Sequence, residues 1–179
     1  TPENIFPQLM KEYKVNRVFT NHDYEPYAKN RDQQIAELLQ KQGVGFQTYK
    51  DQVILEKDEV LKDDGKPYTV FTPYSRKWKA VLTDFHLKSY TCRKYARHFL
   101  KALEAMGFTA TGQSFPGKEW KGQTIRNYKE QRDIPSVQGT SRLSVHLRFG
   151  TISIRQLAAE AGGLNETFLN ELIWRDFYQ

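Results

Sequence analysis

The first third of the chain alternates between helical and extended hydrophobic patterns. Apolar residues recur at helical spacing over residues 2–13 and 28–42, and Gly43 marks the end of the second pattern. Short apolar runs predict strands at residues 15–20, 46–49 and 53–55. Alternating helices and strands predict a parallel sheet, but two or three strands are too few for a doubly wound core. We therefore expect the chain to begin inside an α/β domain.

The middle of the chain combines a turn, helical patterns and a linker. Residues 63–68 are typical of a turn, and a capping threonine followed by proline predicts a helix over residues 73–87. A basic amphipathic pattern predicts another helix at residues 93–106. Residues 107–122 are rich in Gly, Thr, Ser and Lys, which indicates an interdomain linker.

The last third of the chain carries four helical patterns. They cover residues 123–132, 143–149 and 154–161, and the fourth begins near Asn165. Pro135 limits the first pattern, and Gly162-Gly163 limits the third. The fourth pattern has no stop signal before Gln179. Together with the incomplete α/β pattern at the start, this leads us to expect that the chain lacks both ends of its parent protein.

The net positive charge of the chain favours a polyanionic partner. The chain has 27 Lys and Arg against 21 Asp and Glu, a net charge of +6, which favours nucleic acid or a phosphate-bearing cofactor. Cys92 is the only cysteine and the four histidines lack ligand spacing, so neither a disulfide nor a metal site is predicted. No apolar run approaches the ~20 residues that span a membrane. We expect a soluble protein in a reducing, cytoplasmic compartment.

A hydroxyl-rich string, Thr140-Ser141-Arg142-Leu143-Ser144, stands at a predicted helix start. Helix starts carry unpaired N–H groups and a partial positive charge, and the hydroxyls and the guanidinium add further donors for phosphate. An ordinary Ser/Thr cap beside a solvated arginine is the alternative. The string alone does not decide between them.

A second string, residues 171–175 (Glu-Leu-Ile-Trp-Arg), places a carboxylate, an indole and a guanidinium close together on a predicted helix. Glu171 and Arg175 are four residues apart, which is typical of a surface ion pair contributing ~0.3–0.5 kcal/mol. An indole between two charged groups also suits stacking on a base, with the arginine at a phosphate. Core packing of Trp174 and Phe177 is the alternative.

Both strings belong to a larger set of motifs in a fixed order. The set comprises residues 127–135 (Asn-Tyr-Lys-Glu-Gln-Arg-Asp-Ile-Pro), 139–144 and 169–178, preceded by residues 23–27 (Asp-Tyr-Glu-Pro-Tyr) and 68–74 (Tyr-Thr-Val-Phe-Thr-Pro-Tyr). Together these motifs resemble the DNA photolyase/cryptochrome family, and the resemblance covers nearly the whole chain.

This resemblance implies a fold that is α/β followed by all-α. Residues 1–72 would be the C-terminal part of a Rossmann-like parallel-sheet antenna domain, residues 73–122 a helix and a long interdomain linker, and residues 123–179 the first helices of the FAD-binding helical domain. Family enzymes use photoexcited reduced FAD to pass an electron to a cyclobutane pyrimidine dimer; the dimer splits and the electron returns. The implied partner is DNA containing UV-induced pyrimidine dimers. A monomer without membrane attachment is expected.

Site residues are implied motif by motif. The resemblance places FAD against Tyr128, Thr140, Ser141, Arg142, Leu143, Ser144 and Phe168. It places the DNA face on Arg132, Glu171, Trp174, Arg175 and Tyr178. In that arrangement Arg132 meets a phosphate, Glu171 hydrogen-bonds the dimer and Trp174 stacks against it. Because the flavin is buried in a helical domain, the lesion must leave the duplex to reach it.

Two places depart from the family pattern. Tyr27 and Ala28 stand where folate-antenna members have an Asn-Glu pair. A folate antenna of that type is therefore not expected, and the antenna chromophore is left open. Phe168 stands where many members have tryptophan, which keeps an aromatic surface but loses an indole N–H.

Three functions are compatible with these residues. The leading hypothesis is a cyclobutane-dimer photolyase, the second is a cryptochrome photoreceptor that signals without repair, and the third is a basic single-strand-binding module without flavin. In the family the helical domain continues beyond this stretch and supplies the opposite side of the flavin pocket. The 179-residue chain alone is therefore predicted to be inactive.

Overall fold

The structure is a computed structural model, and it describes residues 1–88, 90 and 107–179. These residues form two compact units. Unit 1 comprises Thr1–Lys77 and Trp174–Gln179, and unit 2 comprises Trp78–Ile173. The helix predicted at residues 93–106 lies outside the described residues, and the boundaries predicted at 72 and 122 stay predictions.

Unit 1 begins with the predicted alternation of helices and strands. Its elements are α1 (Pro2–Glu12), β1 (Arg17–Asn21), α2 (Pro26–Lys41) and β2 (Gly45–Tyr49). The two strands pair in parallel, with Val18 opposite Phe46, and β1 lies slightly later than the predicted strand. The chain turns after α2 at Gly43, whose φ of +70° suits a residue without a Cβ.

Residues 53–55 are not a strand, contrary to the prediction. Among the described residues the sheet of unit 1 contains β1 and β2 only. Val53, Ile54 and Leu55 are almost completely buried, and the N–H groups of Ile54 and Leu55 both donate to the Asp176 carboxylate at 3.1 Å. An apolar run can thus be buried with its backbone donors satisfied by a side chain instead of a neighbouring strand.

The helix predicted over residues 73–87 is divided in two. Helix α3 runs over Phe71–Val81 and α4 over Asp84–Leu87, so the Thr72-Pro73 pair lies in the first turn of α3 and not at its edge. Thr83 is the N-cap of α4. Its N–H donates to His86 Nδ1 at 3.1 Å, and its hydroxyl lies 2.9 Å from the same nitrogen. This local pairing competes with a continuous helix.

The described helices of the last third are α5 (Gly122–Arg126), α6 (Tyr128–Gln131), α7 (Ser144–Arg148), α8 (Ile154–Leu164) and α9 (Glu166–Phe177). One predicted helix at 123–132 is therefore two, with the break at Asn127. Gly162-Gly163 lies inside the last turn of α8 and does not end it. Asn165 separates α8 from α9, and its side-chain oxygen accepts the N–H of Phe168 at 3.1 Å, as an N-cap does.

The core of unit 2 consists of apolar side chains from several of these helices. They are Ile125, Leu143, Ile154, Leu157, Ala161, Phe168, Leu172 and Ile173. Phe149 does not join them, although the predicted amphipathic segment 143–149 included it; its side chain is 76% exposed. Helix α7 ends at Arg148, so Phe149 is its C-cap, and Gly150 directly after it adopts a φ of +63°.

The segment predicted as a linker has no helix or strand from residue 107 to residue 121. It belongs to unit 2 and is hydrogen-bonded to the helical part of that unit. Trp120 donates its indole N–H to Glu160 at 2.6 Å, and His146 Nε2 lies 2.7 Å from the carbonyl oxygen of Pro116. Over the described part of the chain, no helix has the length and apolar character needed to cross a membrane.

Candidate functional site

An ion pair between Arg132 and Glu171 is the most distinctive polar contact of unit 2. Arg132 follows α6 directly, and its guanidinium donates to a carboxylate oxygen of Glu171 on α9. Both side chains are partly exposed, Arg132 by 33% and Glu171 by 40%. The hydrogen bond to Glu171 raises the pKa of Arg132 above its ordinary value. The pair is accessible to a ligand because neither partner is enclosed by the core.

Tyr128 lies beside this ion pair. Its ring meets Phe168 edge-to-face at 5.0 Å, and the Arg132 guanidinium lies 5.5 Å from the ring centre. Burial, assisted by the negative charge of Glu171, raises the pKa of the Tyr128 hydroxyl. The tyrosine therefore stays neutral at physiological pH and can offer a hydroxyl hydrogen bond together with an aromatic surface.

The loop carrying Thr140 to Ser144 is fixed to the end of α6 through Gly139. A Cβ on Gly139 would lie 2.4 Å from the Gln131 carbonyl oxygen, which no side chain tolerates. The loop therefore begins in close contact with the helix that carries Tyr128. Three residues after Gly139, the backbone of Arg142 adopts a φ of +55°, a conformation that is uncommon for a residue other than glycine.

Polar groups of this loop are presented outward, and one apolar group is buried. Thr140, Arg142 and Ser144 are exposed and Ser141 is half-buried, so hydroxyls and a guanidinium are available to an anionic ligand at the start of α7. The Leu143 side chain, 2% exposed, packs in the core. The polar set fits a phosphate-bearing cofactor. The predicted contacts of Leu143 and the buried Phe168 with a cofactor stay predictions.

Trp174 belongs to unit 1, where it lies in a stack of aromatic rings. Phe71 covers one face with ring centres 3.7 Å apart and an interplanar angle of 6°. Tyr178 is nearly parallel at 5.3 Å, and Tyr178 itself is 75% exposed. One face of the Trp174 ring is therefore packed against Phe71, as the core-packing alternative predicts. The ring also stacks on Tyr178, which is close to solvent.

Glu171 and Arg175, the two residues at ion-pair spacing on α9, each bind a partner elsewhere in the chain. Glu171 binds Arg132 in unit 2, whereas the Arg175 guanidinium donates to the backbone carbonyl of Gln52 in unit 1. Helical spacing makes a pair possible but does not set its energy, which is small for exposed side chains.

Unit 1 also contains a polar cluster that the sequence analysis did not assign to a site, although Tyr24 lies in one of the family motifs. His22, which directly follows β1, lies with Nδ1 2.9 Å from Glu56 and Nε2 2.9 Å from Thr48, and the Tyr24 hydroxyl donates to Glu56. Burial acts to raise the pKa of Glu56, but the hydrogen bonds from Tyr24 and His22 outweigh it, and the pKa is lowered. The position of His22 after a predicted strand could have indicated this cluster, because polar residues that follow parallel strands meet at one edge of the sheet.

Tyr24 and Glu56 line a cavity of about 220 Å³ in unit 1, together with Lys29, Tyr68 and Tyr74. Burial, reinforced by the charge of Glu56 at Tyr24 and of Asp176 at Tyr74, raises the pKa of both tyrosines. Across the described parts of the chain, no group of three or more His, Cys, Asp and Glu side chains is placed to hold a metal ion.

Comparison with known proteins identifies the family. The profile of the DNA photolyase family matches residues 1–102, more than half of the 179-residue chain. The chain belongs to the DNA photolyase family.

A curated relative shows how much of a photolyase the chain represents. The deoxyribodipyrimidine photo-lyase of Alkalihalophilus pseudofirmus is 33% identical, over 100% of this chain and 43% of the relative. The chain thus spans less than half the length of this relative. The similarity extends beyond residue 102, so the motifs of the last third lie within a region related to a photolyase.

Solved photolyase structures share the fold. A bacterial class III photolyase from Agrobacterium tumefaciens superposes with a TM-score of 0.71 at 22% identity, over 99% of this chain and 42% of that one. An archaeal photolyase from Sulfolobus tokodaii, solved with two FAD molecules, superposes with a TM-score of 0.67 at 23% identity, over 98% of this chain and 40% of that one. The family resemblance is confirmed, and the small parallel sheet followed by helices is a photolyase fold.

Proposed function

We propose that the complete protein carrying this chain is a light-dependent DNA repair enzyme that splits cyclobutane pyrimidine dimers with reduced FAD. The observation that carries the proposal is the accessible Arg132–Glu171 pair beside Tyr128, in a chain of the DNA photolyase family. A carboxylate and a guanidinium at the surface suit a ligand that offers both base edges and phosphates. The net charge of +6 favours the same partner.

The cofactor of the proposed enzyme is FAD. Thr140, Ser141, Arg142 and Ser144 would hold its pyrophosphate through hydroxyl and guanidinium hydrogen bonds, and Tyr128 would contact it beside the loop. Leu143 and Phe168 would form the apolar wall behind that loop. When bound and reduced, the flavin supplies the electron that starts dimer cleavage after light absorption.

The chain's own residues would bind and orient the lesion. Glu171 would accept a hydrogen bond from the flipped-out dimer, Arg132 would meet a DNA phosphate, and Arg175 would lie on the DNA face. Trp174 would stack against a base on the face that Tyr178 now covers. The exposed Tyr178 is the partner that a base would replace, because Phe71 packs more closely.

Two finer properties belong to the same proposal. An antenna chromophore other than a folate held by an Asn-Glu pair is favoured, because Tyr27 and Ala28 occupy those two places. We expect the enzyme to act as a monomer on DNA that contains UV-induced dimers.

The test uses the complete protein, purified with its flavin reduced, and an oligonucleotide containing one thymine dimer. Illumination with near-UV or blue light should remove the dimer, and samples kept in the dark should retain it. Glu171→Gln should lower the yield of repair by roughly 3- to 10-fold, the value of one hydrogen bond to the substrate. Glu130→Gln removes the same charge from exposed α6 and should leave repair unchanged.

Two outcomes would replace the proposal with another function. A protein that binds flavin and responds to light, yet leaves the dimer intact, is a cryptochrome-type photoreceptor. A protein that purifies without flavin and binds single-stranded DNA is a basic binding module.

A further inference from the structure

The ion pair of Arg132 and Glu171 joins the two groups that the proposed function assigns to different parts of the DNA. Glu171 is assigned to a base and Arg132 to a phosphate, yet the guanidinium donates to the carboxylate. The same atoms of the pair cannot satisfy both arrangements fully. One bond must therefore weaken when the lesion is bound.

The two partners differ in how firmly they are held. Glu171 projects from α9 between the buried residues Phe168, Leu172 and Ile173, so its backbone is fixed by the core. Arg132 follows α6, a helix of four residues, and its long side chain is not buried. When the pair separates, the guanidinium is therefore the group that moves.

The surroundings of Arg132 provide a path outward. Its Nε lies 3.5 Å from Asp133, whose side chain is 84% exposed, and its guanidinium lies over the Tyr128 ring at 5.5 Å. A guanidinium that leaves Glu171 thus keeps a carboxylate and an aromatic face beside it while it turns toward solvent. A phosphate arriving from that side meets a cation that is already oriented.

We propose that Arg132 is a positioning residue that holds Glu171 until a lesion replaces it, so that Arg132 is released to a phosphate only on damaged DNA. This inference rests on the proposed function and adds a cause of specificity to it. On undamaged DNA nothing replaces Arg132, and Glu171 would be left unpaired beside a polyanion. The pair therefore stays closed there, and one phosphate contact is withheld.

The prediction concerns the salt dependence of binding, because each phosphate contact on a duplex adds about 0.9 to the slope of log K against log salt. Binding of the complete protein in the dark is measured at salt concentrations from about 50 to about 250 mM, where phosphate contacts change the affinity strongly. One duplex contains a single thymine dimer, and the other is the matched undamaged duplex. For the wild type, the slope should be steeper on the dimer duplex by about 0.9.

Substitutions at the pair should remove this difference in opposite ways. Glu171→Gln frees Arg132 on both duplexes, so the slope on undamaged DNA should rise to the dimer value and the affinity for undamaged DNA should increase about two- to fivefold. Arg132→Gln should lower the dimer slope to the undamaged value. Glu130→Gln is the matched control for charge on α6 and should preserve the wild-type difference. Thermal unfolding of each variant shows whether the fold is retained.

The outcomes separate this inference from the proposed function. Equal slopes for the wild type on the two duplexes, with normal light-dependent repair, would overturn the exchange and leave the repair function intact. An equal effect of Glu171→Gln and Glu130→Gln on undamaged DNA would also overturn it. Absence of both dimer preference and repair in the wild type would overturn the proposed function, and the exchange with it.

Discussion

Gly139 shows how a single residue fixes the candidate cofactor loop. Its Cα lies so close to the end of α6 that a Cβ would be 2.4 Å from the Gln131 carbonyl oxygen and 2.6 Å from its carbon. Both atoms belong to the backbone and cannot turn aside as a flexible side chain would. Any larger residue must therefore displace the loop or the helix end.

Substitution of this glycine tests the packing of the loop. Gly139→Ala should destabilise the chain by about 1–3 kcal/mol, the usual cost of overpacking a tight contact, measured by urea unfolding. Gly163→Ala is the control: its Cβ would meet nothing within 4 Å, and alanine in a helix is favoured by about 0.5–1 kcal/mol over glycine. Equal stability of Gly139→Ala and the wild type would show that the contact is not rigid.

At this scale the sequence indicated which residues belong to the candidate site, but it did not indicate which partners they bind. The family motifs indicated Arg132, Glu171 and Arg175 as site residues, and helical spacing paired Glu171 with Arg175. In the structure Glu171 binds Arg132, and Arg175 binds a backbone carbonyl. Spacing within one helix describes local neighbours only, whereas these contacts form between segments that are distant in the chain.

At the scale of elements, the last turn of α9 and residues 52–55 are bound to each other within unit 1. The Asp176 carboxylate accepts the N–H groups of Ile54 and Leu55, and Arg175 donates to the carbonyl of Gln52. Asp176 is 6% exposed. A buried carboxylate that accepts two backbone bonds takes the role that a neighbouring strand would otherwise have.

Removal of this carboxylate should weaken unit 1 strongly. Asp176→Ala leaves two buried N–H groups without their acceptor, at a cost of about 2–4 kcal/mol, and Asp176→Asn should cost less because one oxygen remains. Asp63→Ala, at a side chain that is 98% exposed, is the matched control and should change stability by less than about 0.5 kcal/mol. Thermal unfolding measures all three variants. A cost for Asp176→Ala as small as that of Asp63→Ala would contradict this role.

The existence of helices was more predictable than their continuity. Hydrophobic spacing correctly indicated α2, α8 and α9, but it also joined α3 to α4 and α5 to α6. The breaks depend on local hydrogen bonds, such as the pairing of Thr83 with His86, which do not alter the apolar period. The pair Gly162-Gly163 was predicted to end α8, but the helix continues through both residues to Leu164. The buried side chains of Leu157, Ala158 and Ala161 hold α8 in place, so it tolerates poor helix formers near its end.

At the scale of the whole molecule, the motifs of the last third predicted the family more reliably than the pattern predicted the fold. A two-stranded parallel sheet with flanking helices is compatible with many α/β proteins, whereas ordered motifs over residues 127–178 are not. The DNA photolyase profile confirms the family from the other end of the chain, over residues 1–102. The motifs over residues 127–178 lie outside that match, whereas the motifs at residues 23–27 and 68–74 lie inside it.

Flavin retention tests how much of the cofactor site these 179 residues can provide. Small-molecule sites usually enclose about 70–90% of the surface of a drug-sized ligand, but Thr140, Arg142 and Ser144 lie on an exposed loop, and the Leu143 side chain packs in the core. The chain also spans only 43% of a curated relative.

We expect the 179-residue chain to lose FAD during gel filtration and to repair no dimers, whereas the complete protein should retain FAD. In the complete protein, Thr140→Ala combined with Ser144→Ala should weaken retention by up to about tenfold for each hydrogen bond lost. Co-elution of one FAD per 179-residue chain, detected by flavin absorbance, would contradict this expectation and show that these residues alone can hold FAD.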